Sequence, residues 1–261
     1  MSALTHVARS AALDAVRRGV ARTADAGLVV WVVVGAMIAV SAAQSDLFMT
    51  ERNIANALGQ MVVLGLVTLG QTFVILAGAI DLSVGATVKL ANVLTAGLID
   101  GESARVLPVV VLVLCTGALV GFVNGLLSTR LRVAPIIVTL GTFSVLQGLA
   151  FAYTTTPVGR VTPGMARLAF ATVGPLPLPF LLFAVLAASA AWLLRSTVFG
   201  RRVYAVGGDA ELARKAGINS RNVMVVTMTI CSTLAALGGV VQATRAGVGT
   251  PTAGDGLELA A

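Results

Sequence analysis

Long apolar runs separated by short clusters of charge constrain this chain more than any other feature. The runs extend for about 17–25 residues, the length a helix needs to span the hydrocarbon core of a bilayer. Seven are read at roughly 27–43, 56–79, 84–99, 106–128, 134–153, 178–194 and 223–242. Of the 261 residues, 57% are hydrophobic and 11% are charged, against about 25% charged in a typical soluble domain. Mean hydropathy is +0.95. The expected fold is therefore all-α: a polytopic integral membrane protein of seven spans, with a tail over 1–26 and a membrane domain over 27–261.

The net charge of +7 would point a soluble protein toward nucleic acid. Here the positive residues read as topology signals, and no nucleic-acid partner is expected. Placing the N-terminus in the cytoplasm puts Arg9, Arg17, Arg18, Arg22, Arg130, Arg132, Arg195, Arg201, Arg202, Arg214, Lys215 and Arg221 inside, 12 of the 18 Lys and Arg. Arg52, Arg105, Arg160, Arg167 and Arg245 fall outside, and Lys89 lies within a span. That bias follows the positive-inside rule. The first span has a rival reading as a signal peptide ending at "SAA" (41–43), but its long polar lead favours an uncleaved helix.

Catalysis has little to work with. Cys115 and Cys231 fall in separate spans, and the single histidine, His6, is in the tail. The sequence contains no GxxxxGK[ST], HExxH or GxSxG, so no catalytic residue, metal site or cofactor is expected in this chain.

The segment "GAIDLSVGATVKL" (78–90) puts a carboxylate, Asp81, among apolar residues and brackets it with Gly78 and Gly85. If a helix restarts after Asp81, then Asp81 or Ser83 caps its free amides near the positive end of the dipole. The glycines allow a backbone break and close packing, which membranes tolerate where the break is buried in protein or lines a cavity. A structural cap is favoured over a polar contact in a gate. Lys89 sits eight residues beyond Asp81, about 12 Å along a helix, so the two do not pair and the sequence does not identify the lysine's partner. Gly117, Gly121 and Gly125 repeat every four residues, a spacing that admits another backbone closely. It serves packing within the chain or a subunit interface, with packing favoured. Asn124 lies beside that face.

Two connecting segments carry structure. Five of the eight prolines fall in 154–179, and between the breaks Met165, Leu168, Ala169 and Phe170 can form a short surface helix. The result is a docking surface or a plain connector. In 195–222, Asp209 follows Gly207 and Gly208 and can cap a helix through "AELARKAG". Glu211 lies at the positive end of its dipole and Arg214 and Lys215 at the negative end, and Gly217 after Ala216 stops it. Flanked by loops, this helix is either a solvated elbow or a lever moved by a cytoplasmic partner.

The segments "GQTFVILAGAIDLSVGA" (70–86), "NGLLSTRLRVAPIIVTLGTFSVLQGLA" (124–150), "GRRVYAVGGDAELARKAGINSRNV" (200–223) and "GVGTPTAGDGLELAA" (247–261) together resemble the permease subunits of ribose- and xylose-type ABC sugar importers. The resemblance implies a multi-pass protein of the bacterial inner membrane that works beside a cytoplasmic ATPase carrying ATP and Mg, a periplasmic or lipid-anchored sugar-binding protein, and a second permease. It makes 207–217 the element that couples to the ATPase. It implies alternating access, and Gln71, Thr72, Asn92, Asn124, Thr139, Thr142 and Gln147 are candidates for the polar path, each also suited to an interhelical hydrogen bond. Branched-chain amino acid permeases share the architecture, though "DLSVG" and "GRRVYAVGG" resemble the sugar branch more. Two departures stand out: relatives of about ten spans continue past "LELAA", and they usually carry a small or apolar residue where this chain has Lys89. A membrane enzyme, a channel and a non-transporting subunit are the other classes considered.

Overall fold

The computed structural model describes residues 29–261. The expected tail over 1–26, its four arginines and the first residues of the first span lie outside the described residues. The chain divides into two compact units, Met1–Ile54 and Ala55–Ala261. In the first, helix α1 occupies Val29–Gln44. Helix α2, Glu51–Leu76, begins at the end of that unit and runs into the second. There it is followed by α3 (Val84–Ile99), α4 (Val106–Arg130), α5 (Pro135–Tyr153), α6 (Pro163–Phe170), α7 (Leu178–Ser196), α8 (Val198–Gly208), α9 (Ala210–Lys215), α10 (Ser220–Ala246) and α11 (Leu257–Ala260).

Among the described residues, five helices are long and apolar enough to cross a membrane: α2, α4 with the turn before it, α5, α7 and α10. The expected span at 84–99 is helical at those residues, but its 16 residues reach only about 24 Å, short of a hydrocarbon core of about 30 Å. It does not need to face lipid. α4, α5 and α10 pack around α3, and its residues are buried almost without interruption from Val84 to Ala96. The largest interface joins α4 to α10. Gly117, Gly121 and Gly125 lie along it, and a Cβ at any of them would collide with α10, against Ser232, Met228 or Val225 respectively. The glycine stripe is thus used for packing within the chain.

Helix ends follow local chemistry. Pro135 and Pro163 open α5 and α6, where a missing amide costs nothing. The Thr162 hydroxyl caps α6 by accepting from Met165 N at 3.2 Å. α10 is capped by Asn219, which accepts from Asn222 N, and ends at Gly247 with φ of 80°. The expected surface helix is α6. A two-residue hairpin follows it, β1 (Thr172–Val173) antiparallel to β2 (Leu176–Pro177), which the proline count does not disclose. The rest of the segment is pinned down: Val158 and Gly249 exchange backbone hydrogen bonds of 2.8 and 3.0 Å, and Val161 N donates to Gly247 O at 3.0 Å.

Candidate functional site

The link between α2 and α3 is where the polar residues converge. Gly78 takes φ of 86°, a left-handed value open to glycine, and the chain turns into the protein interior. Asp81 is fully buried. Its Oδ1 accepts from Ser83 N at 2.9 Å and from Ser83 Oγ at 2.6 Å, and its Oδ2 accepts from Ser232 Oγ of α10 at 3.2 Å. Gln71 of α2 braces the same residue from behind: its Nε2 donates to the Asp81 carbonyl at 3.3 Å, and its Oε1 accepts from Asp81 N at 3.4 Å. Neither side chain caps the first turn of the restarting helix: Asp81 turns back on the amide and hydroxyl of Ser83, the residue before it, and the Ser83 hydroxyl, spent on the carboxylate, makes no cap bond of its own.

From Ser83 the network crosses the bundle. Asn124 of α4 donates from Nδ2 to Ser83 Oγ at 3.0 Å, and Thr142 of α5 donates to Asn124 Oδ1 at 2.6 Å. Thr139, one turn earlier on α5, accepts from Leu82 N at 3.1 Å. Gln71, Asp81, Ser83, Asn124, Thr139 and Thr142 thus form one set drawn from α2, the link, α4 and α5, closed on α10 by Ser232. Hydroxyls, amides and one carboxylate here satisfy one another in a bundle interior that offers no bulk water.

A second polar group lies further along α3. Lys89 is 2% exposed, and its Nζ pairs with Asp255 Oδ1 at 2.5 Å, a carboxylate that is itself 57% exposed. The ammonium also lies 5.0 Å from the centre of the Phe151 ring of α5, close enough for a cation–π contact. One turn on, Asn92 Oδ1 accepts from Thr250 N at 2.7 Å, while its buried Nδ2 has no hydrogen-bond partner among the described residues. After α10 the chain therefore turns back beside α3: Gly249 lies against Val93 and Asn92, and Gly254 against Gly85 and Val88. A Cβ on Gly85 would stand 2.9 Å from the Gly254 carbonyl, so Gly85 admits this returning strand of chain. The partner of Lys89 comes from the returning segment.

The segment after α7 is more helical than its sequence shows. Gly207 and Gly208 do not open a loop; they end α8. Asp209 then caps α9 as expected, its Oδ1 accepting from Glu211 N at 2.8 Å and Leu212 N at 2.9 Å. Lys215 pairs with Glu211 at 3.4 Å. Ala216 follows α9 as its C-terminal cap, and Gly217 stops the chain's helical course at φ of 82°. Asp209, Glu211, Arg214, Lys215, Ala216 and Gly217 are exposed. Ala213 turns inward and joins Phe73, Ala77, Val203, Val206 and Val223 in one hydrophobic cluster. α8 meets the link between α2 and α3 directly, because a Cβ on Gly207 would strike the Leu76 carbonyl.

Three candidate path residues stay outside the network. Thr72 returns its hydroxyl to Thr68 O of its own helix, Gln147 is half-buried and makes no contact with the network, and Asn92 belongs to the Lys89 group. Ser232, Thr250, Asp255 and Phe151 are contacts that sequence reasoning missed. Nothing marks Ser232 among the small residues of α10, and Asp255 stands in a glycine-rich tract that reads as a loop. Among the described residues, no group of His, Cys, Asp and Glu is placed to hold a metal ion. A narrow cavity beside α3, lined by Thr87, Leu90, Val113 and Leu146 among others, holds about 10 Å³, space for no more than a single water.

Residues 53–261 match the family described as "Branched-chain amino acid transport system / permease component". The chain is 38% identical over 219 residues to the ribose import permease protein of Bacillus subtilis, covering 81% of this chain and 66% of that protein. It is 34% identical over 228 residues to the ribose import permease protein of Escherichia coli K12, covering 85% and 71%. It is 30% identical over 249 residues to the galactose/methyl galactoside import permease protein of the same strain, covering 88% and 74%. The chain thus spans about two thirds to three quarters of the length of these relatives. No solved structure matches it significantly.

Proposed function

We propose, from the premise that this chain belongs to the family of branched-chain amino acid transport system permease components, that it is the membrane permease of an ATP-driven importer for a monosaccharide such as ribose or xylose. The relatives named for ribose and galactose favour a sugar over an amino acid. The observation that carries the reading is the buried network of Asp81, Ser83, Asn124, Thr139 and Thr142 at a helix interruption. Broken helices with unwound backbone at a polar centre are a recurring feature of transporter sites. The cavity beside α3, next to this network, is far too small for a sugar, which fits a path formed against a second permease.

In this reading the N-terminus is cytoplasmic and the protein lies in the bacterial inner membrane. α9 faces the cytoplasm and takes the push of a separate ATPase, which supplies the ATP and Mg chemistry. A periplasmic or lipid-anchored protein delivers the sugar outside. Leu212, 60% exposed, gives α9 an apolar contact to offer between its charged residues. Motion of α8 and α9 reaches the α2–α3 link through Gly207 and the shared cluster around Phe73 and Val206.

The test is a pull-down of the chain in mild detergent from its native membrane, with ATPase activity assayed in the eluate. The control carries Gly217→Pro with Glu211→Arg, which removes the helix stop and reverses a charge on α9. Co-purifying ATPase that the control loses supports the importer reading. A folded chain that brings down no ATPase refutes it.

A further inference from the structure

Arg245 sits near the end of α10 and uses its guanidinium poorly within the protein. Gly59 of α2 makes room for it, since any side chain there would collide with the guanidinium. Nη2 donates one long bond, 3.4 Å, to Asn56 O. The Phe170 ring lies 5.4 Å from Cζ. Among the described residues no carboxylate comes within ion-pair distance of Arg245. A guanidinium carries five N–H donors in a planar fork, so most of them are unused.

An apolar groove of about 240 Å³ opens beside it, between α6, α7 and α10. Leu168, Leu178, Leu182, Leu237 and Val241 line it, and Arg245 is its one charged wall. The single hydroxyl in the lining, Thr244, is returned to Val240 O at 2.7 Å, so the groove offers an occupant hydrocarbon along its length and a fork of cationic donors at one place. That pairing of an apolar trough with a guanidinium matches part of a phospholipid: a stretch of one acyl chain lies in the trough, and the phosphodiester takes the fork in the bidentate manner that suits arginine.

We infer that the α6–α7–α10 groove is a specific phospholipid site, with Arg245 holding the phosphate and Leu182, Leu237 and Val241 holding an acyl chain. The inference goes beyond transport and requires only that the helices lie in a membrane. Gly59 belongs to the site because it seats the guanidinium, and Phe170 because it covers one face of it.

The experiment titrates the full 261-residue chain in mild detergent with dioleoylphosphatidylglycerol and follows binding by native mass spectrometry, with inorganic phosphate as a parallel arm. The expected result is one lipid retained per chain and no retained phosphate. Arg245→Gln should weaken retention about fivefold, the worth of one basic side chain at a headgroup. Arg245→Lys should keep part of it as a point charge. Leu182→Trp fills the trough from an exposed position and should abolish retention with the guanidinium intact. Helix content by circular dichroism keeps misfolded variants out of the comparison. Equal retention by the original chain, Arg245→Gln and Leu182→Trp would overturn the inference. So would phosphate binding as tightly as lipid, or a chain–chain crosslink through a cysteine at position 182, which would assign the groove to a second copy.

Discussion

Replacing Gly121 by alanine adds one methyl group, and the structure gives that methyl no room. It would stand 2.6 Å from Thr229 Cα and 2.7 Å from the Met228 carbonyl carbon, whereas carbon atoms settle at about 3.5–4.0 Å. These are backbone atoms of α10 that no rotamer change can move, so α4 and α10 must part by about 1 Å. Overpacking of this kind costs about 1–3 kcal/mol. Asn124, three residues on and on the same buried face, is carried with α4. Its 3.0 Å bond to Ser83 passes out of range with a shift of that size, for about 0.6 kcal/mol more in a membrane interior. Relief of glycine's backbone entropy returns about 0.5–1 kcal/mol. The net expectation is a loss of about 1–3 kcal/mol. Gly148 on α5 supplies the control, because a Cβ there meets nothing within 4 Å, and Gly148→Ala should gain about 0.5–1 kcal/mol. Reversible unfolding in mixed dodecyl sulfate and maltoside micelles, followed by circular dichroism, measures both. Equal effects from the two substitutions would refute the reasoning, since it predicts opposite signs from one chemical change.

Other perturbations separate charge from geometry. Asp81→Asn keeps an acceptor for Ser83 and can turn its amide toward Ser232, so unfolding should shift by no more than about 1 kcal/mol, while Asp81→Ala leaves buried donors on Ser83 unpaired at about 1–3 kcal/mol each; similar losses for the two would show that the charge itself matters. The Lys89–Asp255 pair should respond unequally: Asp255→Asn leaves an ammonium that is 2% exposed without a counterion and should cost about 3–5 kcal/mol, whereas Lys89→Met leaves only a half-exposed carboxylate and should be near neutral. Thermal unfolding of the two single variants orders them, and a larger loss from Lys89→Met would contradict the geometry. Gly207→Ala drives a methyl group into the Leu76 carbonyl; in reconstituted vesicles it should lower sugar uptake per ATP hydrolysed at least about tenfold, about 1.4 kcal/mol of lost coupling, while leaving ATPase association intact. Unchanged coupling would remove α8 from the transmission route.

What the sequence shows and what it hides divide along chemical lines. Apolar runs placed the long helices to within a few residues, because hydrocarbon length and helical rise leave little freedom. Caps were equally legible at Asp209 and Gly217, where the determinants lie within one turn. The convergence of Gln71, Asn124, Thr139 and Thr142 on Asp81 was present only as a collection of polar residues in apolar runs; their meeting depends on four helices packing together, and no local pattern encodes it. Thr72 and Gln147 belonged to the same collection and point elsewhere. α8 was missed because "GRRVYAVGG" carries five charge- or glycine-bearing positions that read as loop, while its helix is set by Val203 and Val206 burying against α2. Lys89 announced a partner without naming it, since Asp255 is 166 residues away and lies in a segment with no helical period of its own.

The enclosure of α3 bears on the order in which this protein is made. A segment entering the membrane during synthesis is judged by its own composition, and one lysine near the centre of a helix costs about 2.5–3.5 kcal/mol on the insertion scale. α3 is short, and it brings Lys89 and Asn92 with it and follows a buried aspartate. Its stabilising contacts are contributed by α4, by α5, by α10, whose Ser232 holds Asp81 just before it, and finally by Asp255. The ribosome has therefore delivered the chain through Asp255 before this central helix can hold its final place. Until then α3 must wait at the translocon or the membrane interface, and a nascent chain arrested before residue 232 should leave its cysteine-substituted residues open to water-soluble maleimide.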